Sequence, residues 1–164
     1  MNNYLDKKVW LLTIFFNSLI ILIALHYQYN ENSQPCLLCI YIRTAFIGMT
    51  IVAIAGYLTR KIYLAKNFFI ISNLIIISYG IIKSHRLTLI FSGEIKLHSC
   101  SFMPNFWIPI HKWMPSIFLP KGLCENPGKS ILGLNMSEWS LLIFIAYFIV
   151  YLAFITNSIK AKNN

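Results

Sequence analysis

Four stretches of this chain are almost wholly apolar, and polar residues collect between them. Val9 to Leu25 lies in a span with no charge between Lys8 and Glu31. Ile40 to Thr59 is interrupted only by Arg43, near its start. Asn67 to Ile82 is shorter and carries Ser72, Asn73 and Ser78, and Trp139 to Ile159 has no charge at all. At about 1.5 Å per residue, roughly 20 helical residues cross a hydrocarbon core of about 30 Å. The first and third stretches are slightly short, which tilt and flanking residues offset. A soluble protein would have to wrap four such helices in polar partners, and the chain has none to offer.

The pattern therefore predicts an all-α integral membrane protein, a bundle of four transmembrane helices forming a single domain over residues 1–164. The helices are expected at about 9–26, 40–59, 66–83 and 139–159, with an inner loop at about 60–65 and outer loops at about 27–39 and 84–138. Lys7 and Lys8 before the first apolar run resemble the start of a secretory signal. The following His26-Tyr27-Gln28-Tyr29 offers no small-residue cleavage site, so this segment reads as an uncleaved first helix.

Residues 105–118 of the long outer loop mix Phe106, Trp107, Trp113 and Phe118 with Pro109 and Pro115. Trp107, Ile110, Met114 and Ile117 have helical spacing, but the prolines forbid one long regular helix. Aromatic residues among polar ones suit the headgroup layer, so short turns lying on the membrane surface are expected here.

Composition agrees: 57% of the 164 residues are hydrophobic and 12% charged. The net charge of +9 is spread over loops and termini, where it serves as an orienting fringe rather than a nucleic-acid surface. The side shared by both termini and the short loop carries seven cations: Lys7, Lys8, Arg60, Lys61, Lys66, Lys160 and Lys162. The first loop on the other side, Tyr27 to Pro35, has none, although Lys83, Arg86, Lys96, Lys112, Lys121 and Lys129 belong to the long loop. Excess positive charge on the inner side favours cytoplasmic termini. All four cysteines, Cys36, Cys39, Cys100 and Cys124, then fall on the outer side, where disulfides persist.

Cys36 and Cys39 form a Cys-Leu-Leu-Cys step. A zinc site built from cysteines usually needs a second such pair, and Cys100 and Cys124 are too far apart to make one. As a staple the step is poor, stabilising by about 2 kcal/mol against roughly 3–4 kcal/mol for closing Cys100 to Cys124. Short disulfide loops are strained and readily reduced, which suits exchange. Cys36, Cys39 and Arg43 follow at i, i+3 and i+7, so a helix beginning at the loop aligns them on one face. A guanidinium near a thiol favours the reactive thiolate and could stabilise an anionic acceptor. Taken alone, Arg43 is equally readable as an interfacial arginine that snorkels, and Cys100 and Cys124 as a pair that ties down a loop. His85 sits just past the third apolar stretch, near the level expected for Arg43.

These residues resemble the family of disulfide bond formation protein B, bacterial inner-membrane thiol oxidases that use quinone. The resemblance runs through Pro35-Cys36-Leu37-Leu38-Cys39-Ile40-Tyr41, Arg43, the region of His85, Cys100 with Phe102-Met103, and Trp113-Met114-Pro115. It continues through Gly122-Leu123-Cys124, Leu132-Gly133-Leu134-Asn135-Met136, Trp139 and Ile143 to Tyr147. Two positions depart from the pattern. Ile42 stands where a polar residue usually precedes the arginine, and Ser84 where a glutamate often precedes the histidine.

The resemblance implies a relay. A reduced, DsbA-like periplasmic thiol oxidant would attack a Cys100–Cys124 disulfide at Cys100, and the released Cys124 would attack Cys36. That would free Cys39 as a thiolate beside Arg43. Ubiquinone or menaquinone, held near Arg43 and His85, would be the electron acceptor, with no metal involved. It further implies an inner-membrane protein with its cysteine-bearing loops in the periplasm. Two other readings compete. A vitamin K epoxide reductase-like protein keeps its active CxxC late in the chain, whereas this one follows the first helix. A scaffold with two structural disulfides would leave Arg43 without a purpose.

Overall fold

The computed structural model describes residues 2–30, 35–95, 114–118, 120 and 132–163. Among the described residues four long helices dominate, α1 (Asn2–Asn30), α2 (Leu37–Leu58), α3 (Tyr63–Phe91) and α5 (Met136–Asn163), with one short helical turn, α4 (Pro115–Phe118). Each long helix contains a segment of sufficient length and apolarity to cross a bilayer: Lys7–Tyr29, Leu37–Leu58, Tyr63–Phe91 and Met136–Thr156. Cys100, Cys124 and the aromatic stretch 105–113 lie outside the described residues.

Helices outrun the apolar stretches that predict them. Residues 84–91, expected in the long loop, continue α3, and residues 27–30 continue α1. The physical reason is that Ser84-His85-Arg86 are polar without being helix breakers, so the backbone ladder continues where apolarity stops. α3 ends at Phe91, where Ser92 and then Gly93, at φ 79°, carry the chain into a turn. A turn at Leu132-Gly133 feeds α5, with Gly133 at φ 82°. The Glu138 carboxylate accepts a hydrogen bond from the Asn135 backbone N–H at 2.7 Å, half of a capping box.

Consecutive helices run in opposite directions, so the first turns of α1, the α2–α3 link and the end of α5 share one end of the bundle. The Cys36–Cys39 step lies at the other. α1 packs on α2, α2 on α3 and α3 on α5. α1 and α5 complete the ring through long side chains: Trp10 meets Tyr151 and Phe154 edge-on, with centroids 6.1 and 6.3 Å apart. Two glycines admit rings into the core, Gly56 receiving Trp10 and Gly80 receiving Phe144. Phe144 in turn stacks on Phe46 from α2, centroids 4.4 Å apart.

The distribution of polarity is inverted relative to a soluble bundle. Phe15, Leu22, Ile51, Leu58, Leu64, Phe68, Ile75, Ile82 and Ile149 are exposed, while Asn17, Arg43, Lys66, Asn73 and Ser84 are buried. Apolar surface on this scale is stable only against lipid, which makes this a multi-pass membrane protein. Hydroxyls inside the spans are accommodated accordingly. Thr44, Thr50, Ser72, Ser78 and Ser140 each donate to the carbonyl four residues earlier.

Candidate redox site

Cys36 is the N-cap of α2. Its backbone is extended, at φ −77° and ψ 167°, and its carbonyl accepts the first helical hydrogen bond, from Ile40 N–H at 3.2 Å. Pro35 biases this geometry by fixing its own φ and donating no hydrogen bond. Cys39 is then the third helical residue, and its N–H points back at Cys36 Sγ, 3.4 Å away. A serine or aspartate oxygen usually fills this role, satisfying a helix-end donor; here a sulfur does. The positive end of the helix dipole favours negative charge on that sulfur.

The two sulfurs are 2.8 Å apart. That is contact between two thiol groups, and a covalent bond at about 2.05 Å needs them to close by less than about 1 Å. Cys36 is buried, at 3% exposure, whereas Cys39 is only partly buried. The pair is therefore asymmetric. The N-cap sulfur is enclosed, and the sulfur one turn along is the more accessible.

Arg43 lies one turn beyond Cys39 and is buried, at 7% exposure. Its charge is within electrostatic reach of Cys39 and Tyr29. One guanidinium N–H donates to Gln28 Oε1 at 2.7 Å, joining α2 to the last turn of α1. A charge-assisted bond of this kind holds the guanidinium in place. Snorkelling would instead carry it out to the bundle surface. Gln28 carries no motif and was not singled out from the sequence. A glutamine in the last turn of the first helix was the only available signal.

α3 brings two adjacent residues to this level. Gly48 on α2 faces Ile76 on α3, and counting outward along both antiparallel helices sets Ser84 and His85 near Ile40 and Cys39. Ser84 is fully buried and its hydroxyl has no hydrogen-bond partner among the described residues. His85 is exposed. The structure thus brings Cys36, Cys39 and Arg43 together with Gln28, and places His85 at the same height on the exposed side of α3. The remaining pair, Cys100 and Cys124, falls outside the described residues. No group of three or more His, Cys, Asp or Glu suited to a metal ion occurs among the described residues.

The arrangement provides a dithiol in contact, a helix terminus behind it and a fixed cation beside it, at one end of a lipid-facing bundle. Such a site can exchange disulfides and can hold negative charge on an acceptor.

The chain as a whole is similar to known proteins. Residues 6–154 match the DsbB family, described as disulfide bond formation protein DsbB. The chain is 30% identical over 152 residues to a disulfide bond formation protein B of Shewanella denitrificans, covering 92% of this chain and 87% of that protein. It is 31% identical over 166 aligned positions to that of Haemophilus influenzae strain Rd, covering 99% and 94%. With the protein of Shewanella frigidimarina it shares 30% identity over 142 residues, covering 85% and 84%.

Proposed function

Because this chain belongs to the DsbB family of disulfide bond formation proteins, we propose that it reoxidises a soluble, DsbA-like dithiol oxidant and delivers the electrons to membrane quinone. The observation that carries this reading is the Cys36–Cys39 contact at the N-terminus of α2, with Arg43 held beside it by Gln28.

Exchange begins at the Cys100–Cys124 disulfide. The partner's thiolate attacks Cys100, the S–S bond breaks, and Cys124 leaves as a thiolate. Cys124 then attacks Cys36 of the oxidised Cys36–Cys39 pair, and Cys39 leaves as a thiolate. The N-terminal end of α2 and the guanidinium of Arg43 both favour that leaving group. Cys36 is enclosed, so the attack needs the cover over the N-cap to open. The partner's second thiol resolves the mixed disulfide at Cys100. The freed Cys100 thiolate attacks Cys124, restoring the Cys100–Cys124 bond and releasing Cys36. The partner has then lost, and the Cys36–Cys39 pair gained, two electrons and two protons.

The acceptor, ubiquinone or menaquinone, supplies the two-electron, two-proton capacity that closes the cycle. The residues fit such a group. Arg43 offers a fixed cation and Ser84 a buried hydroxyl at about the height of Cys39, both able to donate to a carbonyl oxygen. His85 lies at the same height toward lipid and would contribute only from that side. The protein sits in the bacterial inner membrane with its cysteine-bearing loops periplasmic. Its termini are cytoplasmic, beside Lys7, Lys8, Arg60, Lys61 and Lys66, as the excess of positive charge there supports.

Anaerobic quinone reduction by the purified protein, driven by a reduced periplasmic dithiol oxidant, tests the reading. Turnover is expected, and Cys39→Ser is expected to abolish it. Turnover that survives Cys39→Ser would overturn the assignment of Cys39 as the residue that passes electrons on. No turnover with intact, unreactive disulfides would return the protein to the scaffold reading.

A further inference from the structure

We infer that the lipid-facing groove between α2 and α3 binds the headgroup of an anionic phospholipid, in the leaflet at the dithiol end, through Lys83 and Arg86.

The side of α3 that meets lipid is a single stripe. Leu64, Phe68, Ile71, Ile75, Tyr79 and Ile82 recur at intervals of three and four, and all are exposed. Arg86, also exposed, is the next position in that series. At about 1.5 Å per residue, Leu64 to Arg86 rises about 33 Å, so the stripe crosses a hydrocarbon core of about 30 Å and Arg86 emerges among the headgroups.

Lys83 lies just short of Arg86, on the flank of the stripe that turns toward α2. The register of this seam is observed at two heights. Gly48 of α2 faces Ile76 of α3. Seven residues further toward the dithiol end on each helix, the Lys83 ammonium lies 5.1 Å from the centroid of the Tyr41 ring. It also lies 5.3 Å from that of Tyr79, one turn back along α3. Rings from two helices thus hold a half-buried cation at the edge of the groove. Arg86, three residues on, is its neighbour on the helix surface.

A ring face carries no full negative charge, so the Lys83 ammonium keeps its donors for an anion. Among the described side chains the carboxylates are Glu94, beyond the end of α3, and Glu138, which holds the Asn135 N–H; neither pairs with Lys83. With 14 basic residues against 5 acidic, the chain has too few carboxylates to neutralise all its cations. At a lipid boundary the abundant anion is the phosphodiester. An acyl chain beneath it would lie along Ile82, Tyr79 and Ile75, a contact that a free phosphate ion cannot make. A zwitterionic headgroup brings its own cation to the phosphate. Phosphatidylglycerol brings none, so two basic side chains favour it.

Photocrosslinking on the full chain in phosphatidylcholine nanodiscs tests this. Two probes are compared, phosphatidylglycerol and phosphatidylcholine, each with a diazirine near the glycerol end of one acyl chain, and adducts are mapped by mass spectrometry. The phosphatidylglycerol probe is expected to label Tyr79 and Ile82 several-fold more than the phosphatidylcholine probe. Leu22 and Leu142, which face lipid at the height of Ile82, should be labelled equally by both. Replacing both cations, Lys83→Gln with Arg86→Gln, is expected to bring the ratio at Tyr79 and Ile82 down to that of the leucines. A wild-type ratio no higher than theirs would overturn the inference without any variant. A raised ratio that survives both substitutions would overturn the assignment to Lys83 and Arg86.

Discussion

Gly80→Ala asks whether the Phe144 notch is as tight as the structure makes it. A Cβ built on Gly80 would lie 2.5 Å from Phe144 Cζ and 2.6 Å from Cε1. Ordinary carbon–carbon contact is about 3.5–4.0 Å, so the ring would have to retreat by about 1 Å. It cannot do so freely, since Phe144 is fully buried and its face rests on Phe46 at 4.4 Å with planes 15° apart. Overpacking of this kind costs about 1–3 kcal/mol, and the helix-propensity gain of alanine over glycine returns at most about 1 kcal/mol. The net expectation is destabilisation by about 1–2 kcal/mol. Gly48 supplies the control. Its Cβ would meet Ile76 at 3.6 Å, an ordinary contact, so Gly48→Ala should be neutral or stabilising by up to about 1 kcal/mol. Reversible unfolding by dodecyl sulfate in mixed micelles reads both. A cycle with Phe144→Leu should show coupling of about 1 kcal/mol, because the smaller side chain makes room for the methyl. Equal stability of Gly80→Ala and Gly48→Ala would refute the reasoning.

Other outcomes follow from the same contacts. Gly56→Ala places a Cβ 2.7 Å from the Trp10 ring and should destabilise by a comparable amount of about 1–2 kcal/mol in the same unfolding assay. Gln28→Leu removes a hydrogen bond to a charged group, a loss of about 1.5–3 kcal/mol, and should raise the quinone KM by roughly tenfold or more. The rate of the partner's first attack, on Cys100, should not change, because Arg43 acts only on the later departure of Cys39. An unaltered KM would show that Gln28 does not position Arg43. Ser84→Ala should raise the quinone KM more than His85→Ala does, since Ser84 faces the bundle interior and His85 does not. Steady-state quinone reduction separates the two, and the reverse order would make His85 the quinone neighbour.

Much of this molecule is legible from its residues in order. Four apolar runs near the thickness of a bilayer, interrupted only by Arg43 in the second, are long enough for helices that satisfy the backbone in lipid within each segment. Pro35 before Cys36, and Arg43 seven residues later, place the dithiol at a helix start with a cation along the same face, which is how the structure has it. Helix ends were less legible, because apolarity marks where lipid ends and not where backbone hydrogen bonding ends. α3 runs to Phe91 for that reason.

Facing directions were decided by tertiary packing alone. In a soluble helix the apolar stripe reveals the buried side, but lipid is as apolar as the bundle interior, so Ile70 inside and Ile71 outside are the same residue type. Periodicity could therefore set the height of Ser84 and His85 and not which of them turns inward. Nor could it show that Gln28 meets Arg43, that Gly80 is a socket for Phe144, or that Asn17 is buried. Those depend on the rotation of each helix about its axis, which is fixed where small residues let large ones in and where polar side chains must escape lipid.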